Sequence, residues 1–310
     1  MTVVSARRHP TGPWRKIQSQ DTPERTATGF NTLIMISRTV LSEKPKITGG
    51  LLSILAALIL LAAAGCASPD TPAKRFTEML DRYPPSQDQL GIARLTATSA
   101  DAVPSALRGK AVTIMVHPAY SLFFREERRS TYSEAKYDLL KFQLDNESRF
   151  ISEIARSGNL LILVLPGNYQ KDSLAPLSYT YYLNASTRSS PQVVYIYSES
   201  SSSGALSTDT MVTLYSFLQK VKADKVLIGG GYIGRCQREF YNQITTYVDK
   251  IPVFIVPEIS SISPDDIDND EAMSVVHSLQ KRDYSPIRRF IEKKGQGKAN
   301  VLHMPSAPVL

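Results

Sequence analysis

Residues 225–236 read KVLIGGGYIGRC and join the three elements that decide the fold. An apolar run of strand length at 225–228 leads into a glycine-rich turn. The turn leads into an amphipathic segment at 235–250, whose apolar residues recur at steps of four. A strand, a tight turn and a helix in this order form the repeating unit of α/β proteins. The stretch therefore predicts a sheet of parallel strands covered by helices.

The same alternation continues on both sides of this stretch. Short apolar or β-branched runs predict further strands at 111–116, 160–165, 192–197 and 253–256. Helical periodicity predicts helices at 133–157, 209–222 and 268–281. Strands that are apolar throughout indicate a sheet buried on both faces. The sequence therefore predicts one α/β domain over 109–285, a three-layer α/β/α sandwich with a mostly parallel sheet of about five strands.

Two segments of the predicted domain depart from this pattern. Residues 170–190 contain three tyrosines and predict a long irregular insertion that is a candidate lid. Residues 198–204 read SESSSSG and predict a flexible loop after the third strand. Ligands of such sheets bind at the carboxyl ends of the strands. Besides the glycine turn, those ends carry His117, Asn168, Glu199 and Glu258.

The chain ahead of the domain has the organisation of an export signal. Residues 51–64 form an apolar run that is shorter than the roughly 20 residues a membrane-spanning helix needs, and basic residues precede it. The run ends in Ala63-Ala64-Gly65-Cys66, which resembles the lipobox of bacterial lipoproteins. The resemblance implies cleavage before Cys66 and a lipid on that cysteine. Because Ala67 and not Asp follows, it also implies the periplasmic face of the outer membrane.

The remaining segments complete the predicted organisation. A start at Met35 gives a signal peptide of ordinary length at 35–65, so residues 1–34 are interpreted as a disordered extension or a mis-assigned start. Residues 66–108 are predicted to be a tether with a short helix. Residues 286–310 are predicted to be a basic tail, either solvated or in contact with anionic lipid headgroups.

Charge and cysteine content exclude several classes of protein. Two cysteines in 310 residues exclude a disulfide-stapled scaffold and a cysteine-rich zinc site. The net charge of +7 suggests a nucleic-acid partner, but residues 1–65 hold eight basic and three acidic side chains. Removing these from the chain's 36 basic and 29 acidic side chains leaves 28 and 26, a net charge of +2. No nucleic-acid partner is therefore predicted.

The glycine turn has two interpretations. Gly229, Gly231 and Gly234 satisfy G-x-G-x-x-G between a strand and a helix, which is the context of a nucleotide- or phosphate-binding turn. Arg235 would assist an anion at the helix N-terminus. However, the acidic residue that would hold a ribose, Glu258, follows Gly229 by 29 residues and not by about 20. The alternative is a tight turn in which side chains do not fit, and no cofactor is predicted.

Cys236 and His117 form a candidate catalytic pair. Cys236 lies in the first turn of the predicted helix, where backbone amides and the helix dipole stabilise a thiolate. Arg235 and Arg238 add positive charge nearby. His117 follows a predicted strand and is a candidate base for this nucleophile. The alternatives are a small buried cysteine and a hydrogen-bonded histidine at a strand end.

The order of the elements resembles that of the isochorismatase-like, or nicotinamidase-type, cysteine hydrolases. The segments that carry the resemblance are 111–124, 149–165 and the Gly-x5-Cys spacing of 230–236. The resemblance implies a Rossmann-like sheet and a thiol hydrolase of small amide-type substrates. It also implies a catalytic Asp where this chain has His117, and a catalytic Lys near Glu199 or Ser200. Only Cys236 matches the family residue for residue.

Three functions from different classes follow. Because two of the three catalytic residues of that family are replaced, the leading hypothesis is a non-catalytic binding or envelope-associated domain, anchored to the membrane through Cys66 and meeting an unidentified envelope partner. The second is a cysteine hydrolase that uses Cys236 and His117. The third is nucleotide or phosphate binding at 229–234. No metal site is predicted, since the Gly and the closing Glu of a calcium loop are missing around Asp265, Asp266, Asp268 and Asp270.

Overall fold

The computed structural model describes residues 78–86, 88–123, 132–167, 169, 175–296 and 300–303. The predicted signal peptide, Cys66, the extension 1–34, Asn168 and the last residues of the basic tail lie outside the described residues. Within the described ranges, no helix combines the length and the apolar character needed to cross a bilayer.

One parallel sheet forms the centre of the described part of the chain. Its strands are β1 (Ala93–Arg94), β2 (Val112–Val116), β3 (Leu160–Leu165), β4 (Val193–Tyr197), β5 (Val226–Gly229) and β6 (Val253–Ile255). Their order in the sheet is β1-β4-β3-β2-β5-β6. The chain builds the sheet outward from β2 through β3 and β4, and then returns to place β5 on the other side of β2. The boundary between β2 and β5 is therefore the topological switch point of the sheet.

Helices cover both faces of this sheet. They are α1 (Tyr120–Phe123), α2 (Glu134–Ser157), α3 (Ala175–Thr187), α4 (Thr208–Lys220), α5 (Cys236–Tyr247), α6 (Asn269–Gln280) and α7 (Ser285–Ile291). Successive residues of β3 point alternately into two hydrophobic clusters, one shared with α4 and α5 and the other with α2 and α3. All six residues of β3 are buried. The predicted α/β/α sandwich with a parallel sheet is therefore confirmed, with a short sixth strand, β1, added at one edge.

Two segments differ from the sequence-based expectation. Part of the predicted irregular insertion is helix α3, which buries Tyr179, Tyr182 and Leu183. These residues have helical spacing, but two of the three are tyrosines, which the sequence analysis did not count as the apolar face of a helix. Helix α7 falls almost entirely within the predicted tail. It has Pro286 in its first turn, where proline is favoured. Its buried residues Ile287, Phe290 and Ile291 join the core, so the domain continues beyond residue 285.

Candidate functional site

The segments that leave β2, β4, β5 and β6 meet at one edge of the sheet, as the parallel topology requires. His117 follows β2, Ser198 follows β4, and the glycine turn follows β5 and ends at Cys236. Ser261 follows β6 and forms a bridge to Tyr232 of the glycine turn. The structure therefore brings the predicted residues His117 and Cys236 to the same edge.

His117 is a buried, neutral imidazole. Its side chain is 0% exposed and its Nε2 atom lies 2.8 Å from the Oγ atom of Ser198. Ser198 Oγ also lies 2.6 Å from the carbonyl oxygen of Ser200, which can only accept a hydrogen bond. Since the hydroxyl has one proton to donate, it accepts from Nε2–H and donates to that carbonyl. Burial lowers the pKa of His117 to about 3.

The other imidazole nitrogen and the backbone of His117 are also unusual. Among the described residues, no group hydrogen-bonds Nδ1, which is the unprotonated nitrogen in this tautomer. The ring stacks on Tyr120 with centroids 5.4 Å apart, and the backbone φ is +44°. Left-handed backbone at a residue other than glycine is held in place by its surroundings and clusters at functional sites. His117 is therefore fixed in position, but its Nε2 atom is bonded to Ser198 and not to the thiol.

Cys236 is a buried thiol and not a stabilised thiolate. It is the first residue of α5 and is 2% exposed. Its Sγ atom accepts a hydrogen bond from the backbone N–H of Tyr232 at 3.3 Å. Even so, burial raises the pKa of the thiol to about 11. Loss of hydration therefore outweighs the helix dipole and the N–H donor, which favours the interpretation as a small buried cysteine over that as an activated nucleophile.

The glycine turn is packed against the protein. Gly230 and Gly231 have φ values of +69° and +59°, and a Cβ atom on either would lie within 3 Å of the carbonyl oxygen of Val116. Two N–H groups of the turn are also used within the protein. That of Gly230 donates to the carbonyl oxygen of Ile259, and that of Ile233 donates to the carbonyl oxygen of Ser261. These geometries are those of a tight turn in which side chains do not fit.

The turn offers little to a phosphate group. Two of the predicted anion-binding glycines are in contact with other side chains. A Cβ atom built at Gly229 would lie 2.3 Å from the side chain of Ile259, and one built at Gly234 would lie against the side chain of Lys294. Arg235 already pairs with Asp266 at 3.0 Å. With these amides and this guanidinium engaged, the arrangement does not form the open cradle that phosphate binding requires.

The sequence analysis missed Glu147, the most perturbed carboxyl group of this edge. It lies on α2 and is 4% exposed. Its Oε2 atom accepts from the backbone N–H of Ala119 at 2.6 Å, and its Oε1 atom accepts from the hydroxyl of Ser261. Burial raises the pKa of Glu147 from 4.5 to about 7 despite these two donors. The signal was present, because Glu147 occupies the place in the apolar stripe between Leu144 and Ile151.

Glu147 forms one wall of a cleft at the switch point. The cleft is small, and its lining includes Ala119, Tyr120, Glu147, Gly231, Tyr232 and Ser261. A carboxyl that titrates near neutral pH in a cleft at this position can hold a hydrogen-bond donor or a cation. Cys236 and His117 are not among the lining residues. The described cleft therefore contains a buried carboxyl group but neither of the predicted catalytic residues.

The other acidic residues have separate roles. Glu199 is exposed, and its backbone N–H donates to Ala205 O. Asp268 caps α6 by accepting from the N–H of Glu271 at 2.8 Å, as expected for the aspartate-rich segment. Glu258 lies away from the switch-point cleft and lines a second cleft. Within the described residues, no group of three or more His, Cys, Asp or Glu side chains is arranged to hold a metal ion.

Comparison with known proteins finds distant structural neighbours. No family model and no curated protein matches the chain. Solved structures that resemble it include the YcaC gene product of Escherichia coli, described as an octameric hydrolase of unknown specificity, with 13% identity, a TM-score of 0.36, and coverage of 62% of this chain and 74% of that one. YcaC of Pseudomonas aeruginosa, solved with hexane-2,5-diol and covalent acrylamide, has 17% identity, a TM-score of 0.33, and coverage of 62% and 75%.

Proposed function

We propose that this chain is a lipid-anchored envelope protein whose α/β domain binds a ligand without catalysis. The observation that carries the proposal is the state of Cys236, which is buried as a neutral thiol with a raised pKa. A neutral thiol is a poor nucleophile, because the thiolate is the reactive form. His117 does not activate it in this arrangement, because its Nε2–H is donated to Ser198 and its basic Nδ1 atom has no hydrogen-bond partner among the described residues, the thiol included.

Binding is supported by the cleft at the switch point. Parallel sheets of this topology hold their ligands there, outside the carboxyl ends of the strands. The cleft contains Glu147, a buried carboxyl group that a ligand can use for orientation. Tyr120 and Tyr232 belong to its lining and pack edge to face on each other, with ring centroids 5.3 Å apart.

The reactivity of Cys236 tests the absence of catalysis. In the full chain with Cys66→Ser, Cys236 is the one cysteine left. We expect alkylation by iodoacetamide at pH 8.5 to be at least tenfold slower in the native protein than in urea, because the native thiol has a pKa of about 11 and an unfolded one about 8.5. A native reaction whose pH midpoint lies below 8.5 would show an activated thiolate and overturn the proposal.

A cysteine hydrolase remains the second candidate function. It is favoured by the place of Cys236, which opens α5 at the carboxyl edge, with its Sγ atom next to Gly231. For this function the thiol must become exposed and lose its proton when a substrate binds. The same alkylation experiment separates the two candidates, since a hydrolase requires a thiol that reacts in the folded protein.

The anchor at Cys66 is tested by lipid labelling in bacteria. We expect the full chain to incorporate an alkyne-tagged fatty acid and to fractionate with the outer membrane, because the lipobox-like segment directs lipid to Cys66. Cys66→Ala should lose at least nine-tenths of the label, whereas the matched variant Cys236→Ala should keep it. Equal labelling of both variants would contradict lipidation at Cys66.

A further inference from the structure

Positive charge is concentrated where α6 ends and α7 follows it. Residues 281–293 hold five basic and two acidic side chains. The whole of residues 66–310 holds 28 basic and 26 acidic side chains, so the remainder of that range holds 23 and 24. The net positive charge of the predicted mature chain is therefore due to this one stretch.

The basic side chains of this stretch are exposed and lie close to one another. The apolar residues of α7 are buried, which leaves Arg288 and Arg289 on the solvent side of the helix. Hydrogen bonds from Ser285, and to a lesser extent the charge of Arg289, lower the pKa of Asp283. Arg289 is therefore close to the turn that joins α6 to α7.

The same surface continues onto α2. Burial raises the pKa of Tyr284, and the charges of Arg149 on α2 and of Arg282 oppose that rise. The two arginines therefore lie on either side of one tyrosine. We call the whole set the basic surface, and its exposed members are Arg149, Lys281, Arg282, Arg288, Arg289 and Lys293.

Most of the charge of the basic surface is not neutralised by the protein. Arg288 pairs with Glu292 at 3.1 Å, and both side chains are about half exposed. Within the part of the chain that the structure describes, no other member of the basic surface has an acidic side chain within 4 Å. The basic surface therefore presents several unpaired cations to a partner of opposite charge.

The chain enters the domain beside this surface. Arg82 pairs with Asp145 of α2 at 2.9 Å, and Asp145 lies one helical turn before Arg149. Eleven residues separate Cys66 from Glu78, the first described residue, and such a segment reaches at most about 40 Å when fully extended. A lipid on Cys66 would therefore keep this side of the domain within reach of the bilayer.

We infer that the basic surface binds the anionic headgroups of a phospholipid bilayer. The arginines donate paired hydrogen bonds to phosphate oxygens, and the lysines add point charges. Clusters of about four to eight basic side chains next to a membrane are typical of such binding. A lipid anchor strengthens it, because the tethered surface meets the headgroups at a high effective concentration. The inference adds a second membrane contact to the proposed envelope protein and rests on that function.

Acetylation of lysines in vesicles tests this inference. The full chain is reconstituted in phosphatidylcholine vesicles, with or without about one-third phosphatidylglycerol, and acetylation is followed by mass spectrometry. We expect Lys281 and Lys293 to react about fivefold more slowly in the anionic vesicles, relative to Lys222, an exposed lysine that follows α4. About 1 M NaCl should abolish this protection, because it shortens the screening length to about 3 Å.

Charge reversal shows whether the basic surface is responsible. Arg289→Glu should remove most of the protection of Lys281 and Lys293. Lys110→Glu, the matched reversal at an exposed residue ahead of β2, should leave the protection unchanged. Circular dichroism checks that each variant is folded.

Several outcomes would overturn the inference. They are equal acetylation in the two kinds of vesicle, full protection in folded Arg289→Glu, and protection by duplex DNA but not by anionic vesicles. Fatty-acid labelling separates this failure from failure of the anchor. If Cys66 is labelled while the lysines stay unprotected, the inference fails and the anchor stands, whereas protection without labelling gives the opposite result.

Discussion

Relative to the wild type, His117→Asn is expected to gain stability as the pH falls from about 6.5 to 3. In the folded protein the pKa of His117 is about 3, and in the unfolded chain it is near 6.5. The folded state therefore binds fewer protons between these values, and stability that is present above pH 6.5 is lost as the pH falls towards 3. A shift of this size corresponds to about 5 kcal/mol, a large share of the 5–15 kcal/mol that stabilises a typical domain.

Asn is the informative replacement for His117. It does not titrate, and it tolerates the left-handed backbone found there, where φ is +44°. Loss of the hydrogen bond to Ser198 should cost about 1–2 kcal/mol at pH 7. Below about pH 4, however, the variant should become the more stable protein.

Urea unfolding at several pH values between 3 and 7 measures this crossover. His277→Asn, a change at an exposed histidine of α6, is the control and should follow the wild-type curve. Parallel curves for wild type and His117→Asn across this range would show that burial of His117 does not limit acid stability.

Replacing Glu147 by Gln is expected to stabilise the protein at alkaline pH. The folded pKa of Glu147 is about 7 and its unfolded value is 4.5. The folded state therefore binds more protons between these values, so the stability associated with this carboxyl is fully present below pH 4.5 and is lost as the pH rises through 7. The loss is about 3 kcal/mol. Gln stays neutral and can still accept from Ala119 N–H and donate to Ser261 Oγ.

The difference in unfolding free energy between Glu147→Gln and wild type should therefore change with pH. We expect a gain of up to about 3 kcal/mol at pH 8.5 and little or no gain at pH 4.5. Glu153→Gln, on an exposed turn of the same helix, should show no such trend. A difference that is the same at both pH values would contradict burial of a titrating carboxyl at Glu147.

The two buried groups act in opposite directions where their ranges overlap. Between about pH 4.5 and 6.5, a rising pH adds stability through His117 and removes it through Glu147. Each contributes about 1.4 kcal/mol per pH unit there, so the two effects nearly cancel. Their joint contribution to the pH dependence of stability should consequently be small in this window. Relative to the wild type, His117→Asn should lose stability and Glu147→Gln should gain it as the pH rises.

The strands could be predicted because each is encoded locally. The run LLILVL of β3 is apolar at every position and has strand length, as a strand buried on both faces requires. The two-residue strand β1 has no such pattern, and both of its residues are exposed. It is a strand only because β4 offers it an edge, which a local sequence pattern does not show.

The chemistry of the site was harder to predict, because it depends on burial. The place of Cys236 at a helix N-terminus was correctly predicted, but the direction of its pKa shift depends on segments far away in sequence. Gly204 packs so closely that a Cβ there would lie 2.0 Å from the carbonyl oxygen of Cys236. Such contacts remove water from the thiol and are set by tertiary structure. The hydrogen bond of His117 to Ser198, 81 residues away, has the same origin.

The position of β2 in the sheet also has a consequence for folding of the chain. Val112 pairs with Leu160 on one side but with Val226, 114 residues later, on the other. Until β5 has paired with it, β2 has one open, apolar edge at what will be the middle of the protein. Open strand edges in unfinished chains promote aggregation. The central strand of the sheet is therefore also the strand that stays vulnerable to wrong pairing until almost the whole domain is available to fold.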